Sequence, residues 1–286
     1  MRILVTGSNG QLGNEIRELA EDYPDYDFFY TDIAELDITD LVKVETFFKE
    51  NKPQVVINCA AYTAVDKAEA DERMAFLINA KAVENLAKAS ASVNALMVHI
   101  STDYVFDGKS YLPRDETDQT NPQSVYGKTK LAGEDAVRKF ATKGIILRTA
   151  WLYSAFGNNF VKTMMRYGNE REELKVVFDQ VGTPTYARDL AQMILDIIPR
   201  AHLKTGTDLF HYSNEGVASW FDFATLIISF SGIDCKIKPI LTEEYPLPAP
   251  RPYFSVLNKS KIKEKYQIRI PYWTDSVKDC IQRLGK

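Results

Sequence analysis

Tyr126 and Lys130, in the stretch Val125-Tyr126-Gly127-Lys128-Thr129-Lys130, are the residues whose types and spacing could move a proton. On a helix they lie one turn apart on the same face. A free tyrosine, with a pKa of about 10, is a poor proton shuttle at neutral pH. An ammonium about 4 Å away, at an effective dielectric near 20, supplies roughly 4 kcal/mol, enough to bring a phenol toward 7. The pair therefore reads as an acid–base unit, against the plain alternative of a helix-surface contact. Of the 15 tyrosines, only Tyr126 has a lysine four residues on. Thr102 offers a hydroxyl that could orient a carbonyl beside Tyr126, or simply cap a turn.

Such a unit needs a redox partner, and the N-terminus supplies a candidate seat. Arg2–Thr6 is a β-branched apolar run that stops at Gly7-Ser8-Asn9-Gly10-Gln11-Leu12-Gly13, after which Asn14–Asp22 reads as a helix. Strand, glycine turn and helix start are the context of a dinucleotide fingerprint, here in the form GxxGxxG. Gly7 and Gly10 let backbone approach a pyrophosphate, Asn9, Gln11 and Leu12 line the turn, and Gly13 lets the helix pack close to the sheet. The helix start adds free amides and a positive dipole end. A second strand, Tyr26–Tyr30, ends near Asp32, about 20 residues past the loop, where a ribose diol is hydrogen-bonded. No arginine follows directly, so NADH fits and NADPH is not excluded. Asp37 and Ile38 sit where an adenine could be edged and covered; capping accounts for Asp37 equally well.

The elements that must position these groups follow from the apolar pattern. Gln54–Asn58 and Leu96–Ile100 are continuous apolar strands of the kind buried in parallel sheets. They deliver Cys59-Ala60-Ala61-Tyr62-Thr63 and Ser101-Thr102-Asp103-Tyr104 to the carboxyl edge, where open α/β sheets bind ligands. Gly7–Gly13, Ala60–Thr63, Thr102 and Tyr126–Lys130 should therefore line one crevice. Leu41–Asn51 (capped by Thr39 or Asp40), Glu72–Ser90, Ala187–Pro199 and Ser219–Phe230 read as helices, and Gly144–Thr149 and Leu174–Phe178 as further strands. Asn158-Asn159-Phe160 starts a helix through Tyr167. Tyr245–Pro252 holds four prolines in eight residues, too rigid for helix or inner strand, and serves either as a linker or as a loop over a pocket.

Composition narrows the function. With 286 residues, 45% apolar content and 26% charged content, the chain suits an ordinary globular protein. A net charge of −4 argues against nucleic acid, which calls for a concentrated basic face. No run of about 18 apolar residues suits a membrane span, and the early glycine loop leaves no room for a signal peptide. Cys59, Cys235 and Cys280 are widely spaced, without metal-ligand or disulfide pattern, so the expected setting is a reducing cytoplasm.

Together the segments Gly7–Gly13, Asn58–Asp66, Ser101–Gly108, Tyr126–Glu134, Arg148–Tyr153 and Arg251-Pro252 resemble the extended short-chain dehydrogenase/reductase family, in its dTDP-4-dehydrorhamnose reductase branch. The resemblance implies a Rossmann-like doubly wound parallel sheet with a smaller C-terminal substrate-binding α/β domain. The nucleotide domain would take residues 1–152 plus about 175–210, and the substrate domain about 153–174 plus 211–286. It implies NADPH or NADH as cofactor and a dTDP-sugar as substrate. Tyr126 would be the general acid, Lys130 would lower its pKa and hold the nicotinamide ribose, and Thr102 would bond the substrate oxygen. Thr63, Val65, Asp103, Tyr104 and Trp151 would surround the sugar, although an aromatic such as Trp151 is by default core packing, and Asn159 would meet the diphosphate. Some members hold Mg2+ between subunits through glutamates. Only Glu15 corresponds here, so no metal site is assigned, and a homodimer is expected without one. Dehydratases of the same family place Asp-Glu after the threonine, whereas here Asp103-Tyr104 follows. Epimerases keep their NAD bound. Some relatives instead act as the regulatory subunit of methionine adenosyltransferase, which the full Thr102/Tyr126/Lys130 set counts against.

Overall fold

The computed structural model describes residues 1–285. The chain opens with β1 (Arg2–Thr6), α1 (Gln11–Leu19), β2 (Asp27–Thr31), α2 (Leu41–Asn51) and β3 (Val55–Asn58). Short helices α3 (Val65–Ala68) and α4 (Glu72–Phe76) lead through a π-helical turn (Leu77–Lys81) into α5 (Ala82–Ser92), followed by β4 (Leu96–Thr102), α6 (Val125–Phe140) and β5 (Lys143–Thr149). Beyond β5 lie β6 (Leu152–Tyr153), α7 (Phe160–Glu170), β7 (Glu173–Val177), β8 (Val181–Gly182), β9 (Thr185–Tyr186), α8 (Ala187–Ala201) and β10 (Gly206–His211). The chain ends with β11 (Ala218–Ser219), α9 (Trp220–Ser231), β12 (Lys236–Ile240), α10 (Ser260–Tyr266) and α11 (Trp273–Leu284).

Six strands form one parallel sheet in the order β10-β5-β4-β3-β1-β2. Its centre is apolar on both faces because helices cover both. Successive side chains of a strand point to opposite faces, and the core divides accordingly. Ile3, Val5, Val55, Ile57, Val98, Ile145 and Leu147 pack with residues of α1 and α8 on one side. Leu4, Val56, Met97 and Ile146 pack with residues of α2 and α5 on the other. Gly7 has φ +64°, and a Cβ there would lie 2.6 Å from the Ala60 backbone, so the glycine turn abuts the end of β3. Only glycine takes that conformation without cost.

Two elements escape a local reading. β10 is half exposed over most of its length, and it extends the sheet as an edge strand beside β5. The helix expected over Glu72–Ser90 contains the π turn, a local irregularity that often marks functional positions. A second core gathers α7, α9, α11 and the β7·β12 pair around Phe223, Ile227 and Trp273. Leu174 and Val176 of β7, expected partly on the nucleotide side, pack in this second core. Ile262 and Tyr266 of α10, expected on the substrate side, pack in the first. Among the described residues no helix is long and apolar enough to cross a membrane.

Candidate active site

Helix α6 carries the candidate proton donor. Ser124 caps it, its Oγ accepting from the Gly127 amide at 3.1 Å and satisfying one of the orphan donors of the first turn. A methyl group at Gly127 would run into the Tyr104 carbonyl, and one at Gly133 into the Asn79 carbonyl, so both glycines let α6 settle close to its neighbours. Lys130 is 2% exposed, and its Nζ donates to the Ile100 carbonyl at 2.6 Å. Thr102 Oγ1 donates to Asp103 Oδ1 at 2.9 Å and accepts from the Tyr104 amide at 3.2 Å. The Tyr126 ring meets Tyr104 edge-on with centroids 5.5 Å apart.

The electrostatics differ from the expectation. Burial pushes the Tyr126 phenol up to about 12, a hydrogen bond with Thr102 opposing and the Asp103 charge adding to the rise. The Lys130 ammonium, tied to Ile100, does not offset that burial. Burial brings Lys130 down to about 8, with Glu134 and Cys59 pulling it back up. Asp103, 2% exposed, is raised by burial to about 6, against hydrogen bonds from Thr102 and the backbone. A phenol at about 12 stays protonated at neutral pH, which suits giving a proton rather than taking one.

A nicotinamide dinucleotide fits the other side of the sheet edge. The N-cap of α1 is Gly10, with no side-chain cap and no acidic residue in the first turn, so nothing of the protein's own competes for an anion there. Asn9 and Gly10 are exposed, Gln11 is half-buried, and Leu12 and Gly13 are buried under the loop. Asp32 crosses to the loop, its Oδ2 accepting from the Asn9 amide at 3.2 Å. Asp37 accepts from both the amide and the hydroxyl of Thr39 in a local turn, while Asp40 is the residue that caps α2, and Ile38 is buried in the core. Ala60, Ala61 and Tyr62 are half-buried at the end of β3.

The structure also shows a clamp that the sequence hid. Asn79, fully buried in the π turn, accepts from the Tyr62 amide at 2.8 Å and donates to the Tyr62 carbonyl and to Thr129 Oγ1, each at 3.1 Å. It joins the loop after β3 to α6. An isolated asparagine in an amphipathic helix carries no local signal for this; only its burial reveals it.

The expected sugar-facing residues spread more widely. Thr63 is exposed, Val65 and Tyr104 are half-buried and Asp103 is buried. Trp151 stacks on Trp220 with centroids 3.6 Å apart and takes φ +49°. The side-chain amide of Asn159 is committed within the protein. It donates to Gln11 Oε1 at 3.0 Å and to the Ser154 carbonyl at 2.7 Å, while its oxygen caps α7. Gln11 and Asn159, both expected to touch ligand, thus hold each other. The proline-rich segment is a strap over a small cavity of about 30 Å³ beside Tyr104. Arg251 Nη2 latches it to Asp66 at 2.7 Å, and Ala249 donates its amide to the same carboxylate.

Glu15 does not suit a metal ion. Its fully buried carboxylate accepts from Arg283 Nη1 at 2.9 and 3.0 Å and from Ser154 Oγ at 2.6 Å, with Arg188 at 3.5 Å. Two cations and a hydroxyl occupy the oxygens that Mg2+ would need.

Comparison with known proteins spans the whole chain. The model of the family described as "RmlD substrate binding domain" matches residues 1–286. A dTDP-4-dehydrorhamnose reductase of Sinorhizobium fredii is 39% identical over 291 residues, covering 99% of this chain and 98% of the relative. Among solved structures, a dTDP-4-dehydrorhamnose reductase of Clostridium acetobutylicum is 48% identical with a TM-score of 0.95, covering all of both chains. One of Bacillus anthracis, in complex with NADP, is 40% identical with a TM-score of 0.94 and covers 99% of both.

Proposed function

We propose the following function for a chain that belongs to the RmlD substrate binding domain family: it is an NAD(P)H-dependent reductase that converts the 4-keto group of dTDP-4-dehydro-L-rhamnose to the alcohol of dTDP-L-rhamnose, a step of rhamnose and cell-surface polysaccharide synthesis. The observation that carries this reading is the family match over residues 1–286. A nicotinamide dinucleotide held at the Gly7–Gly13 turn and Asp32 would supply hydride to the ketone carbon. The protein supplies the rest. Tyr126 gives its phenolic proton to the ketone oxygen as the carbon is reduced, leaving a phenolate that faces Lys130 one turn along. Thr102 orients that oxygen. With NADP in the Bacillus anthracis relative, NADPH is the first cofactor to offer, and the carboxylate of Asp32 supports NADH as well.

Supply of dTDP-4-dehydro-L-rhamnose with NADPH or NADH should oxidise the cofactor in step with appearance of dTDP-L-rhamnose. No turnover with either cofactor would overturn the reading. The three cysteines are unpaired, which supports a cytoplasmic setting. A homodimer held without metal belongs to the same reading and is tested by sedimentation in the presence of a chelator.

A further inference from the structure

We propose that Glu134 and Arg148 form a buried positioning pair for Lys130, in which the Glu134 carboxylate keeps the ammonium charged and fixes its place against β4. This rests on the reductase reading for the use made of Lys130, and on geometry for the pair itself. Tyr126, Lys130 and Glu134 recur every four residues along α6, so they form one stripe with about 5.4 Å between turns. Glu134 is fully buried. Its Oε1 accepts from Ser101 Oγ at 2.6 Å and Arg148 Nε at 2.8 Å, and its Oε2 from Arg148 Nη2 at 2.8 Å and Arg138 Nη2 at 2.7 Å. A carboxylate has about four acceptor sites, and here each meets a donor, so the group cannot turn away.

The two partners from the sheet set the height. Arg148 stands on β5 directly opposite Ser101 of β4, and the next pair in the register is Thr149 with Thr102. Lys130 is bonded to Ile100, the residue before Ser101. Two consecutive residues of β4 therefore engage α6, and the Glu134 contact lies beside the lysine's own. Arg148 is itself 2% exposed, with its guanidinium 5.0 Å over the Phe106 ring.

Charge gives the pair its second role. The titratable groups coupled to the Lys130 charge are Cys59 beyond β3, His99 on β4 and Glu134 on its own helix, and Tyr126 lies one turn back on the same helix. Burial pushes the Cys59 thiol up, the His99 ring down and the Tyr126 phenol up, so all three are neutral near pH 7. Burial also works against the Glu134 carboxylate, but hydrogen bonds and charge from Arg148, with Ser101 and Arg138, hold it below the ordinary range. Glu134 is thus the charged group among the four. A buried ion pair adds little stability over apolar side chains of the same shape, so a structural role alone gives no reason for charge at this place.

Glu134→Gln keeps the shape and removes the charge. The direct readout is the titration of Lys130 in protein labelled at its lysine side-chain carbons, assigned with Lys130→Met; it needs no turnover. The midpoint should fall by about one pH unit. The alkaline limb of kcat in the reduction should move with it, a roughly tenfold loss on the high-pH side. Glu134→Asp, which keeps the charge, should leave the midpoint in place while lowering the melting temperature. Should Glu134→Gln fail to fold because Arg148 is stranded, Glu134→Gln combined with Arg148→Met removes both charges and should show a smaller fall in the same direction, because loss of the Arg148 cation offsets part of it. A folded charge-free variant with the wild-type midpoint overturns the proposal, as does Glu134→Asp shifting as far as Glu134→Gln. Absence of turnover in the unaltered protein would instead strike the reductase reading and leave the titration to decide the pair.

Discussion

Glu15 and Glu134 are built alike and used differently. Both carboxylates are fully buried, and each is held by a serine and arginines. The serine and the guanidinium that grip Glu134 lie 33 and 14 residues away, on neighbouring strands of one sheet. Those that grip Glu15 lie 139 and 268 residues away, after β6 and on α11. Arg283 also bonds the Tyr186 hydroxyl and Glu18. The Glu15 cluster therefore staples α1, which packs in the first core, to α11, which packs in the second. The Glu134 cluster ties α6 to the neighbouring strands β4 and β5, on the stripe that carries Tyr126 and Lys130. A buried ion pair takes its role from what stands beside it, since its own net contribution to stability is small while breaking it is costly.

Experiments can break or sharpen that contrast. The yardstick for chemistry is Tyr126→Phe, which should cost about 10²–10⁴-fold in kcat with little change in melting temperature; a fully active variant would empty the word "site" of meaning on α6. Glu15→Gln strands Arg283 and should destabilise the fold by about 3–5 kcal/mol, read by denaturant unfolding, with the alkaline limb of kcat unmoved. A shifted limb there would erase the distinction between the two glutamates.

Asp103 supplies a third buried carboxylate, one that lacks an arginine. Its folded pKa of about 6 lies above the ordinary 3.8. Its contribution is therefore fully present below about 3.8 and lost as pH rises through about 6, an amount on the order of 3 kcal/mol at 1.36 kcal/mol per unit. Asp103→Asn should accordingly gain about 1–3 kcal/mol of stability above pH 7 and almost nothing at pH 4, with reduction slowed because Thr102 loses a charged acceptor. A variant no more stable at pH 7.5 than the wild type would show that the carboxylate is solvated after all. The smallest effect belongs to the exposed pair. Asp66 is 36% exposed where it meets Arg251, so Asp66→Asn should cost less than about 1 kcal/mol, and any larger loss on unfolding would mean that the strap carries more of the fold than its ion pair.

The sequence by itself determined the elements whose signals are local. The apolar runs of β1, β3, β4 and β5 mark strands buried on two faces, and Gly7–Gly13 marks the first turn from strand to helix. The four-residue spacing of Tyr126 and Lys130 puts both on one face of α6. Each of these is legible because backbone periodicity and glycine sterics act between neighbours in the chain. The tertiary structure alone decided the rest: β10 as an edge strand, Asn79 as a clamp between loop and helix, Gln11 and Asn159 bonded to each other, and Glu15 closed by Arg283 from the far end of the chain. It also reversed the expected shift of Tyr126. A pKa depends on how much water is excluded and which charges come within a few ångströms, and those distances exist only once segments far apart in sequence have packed together.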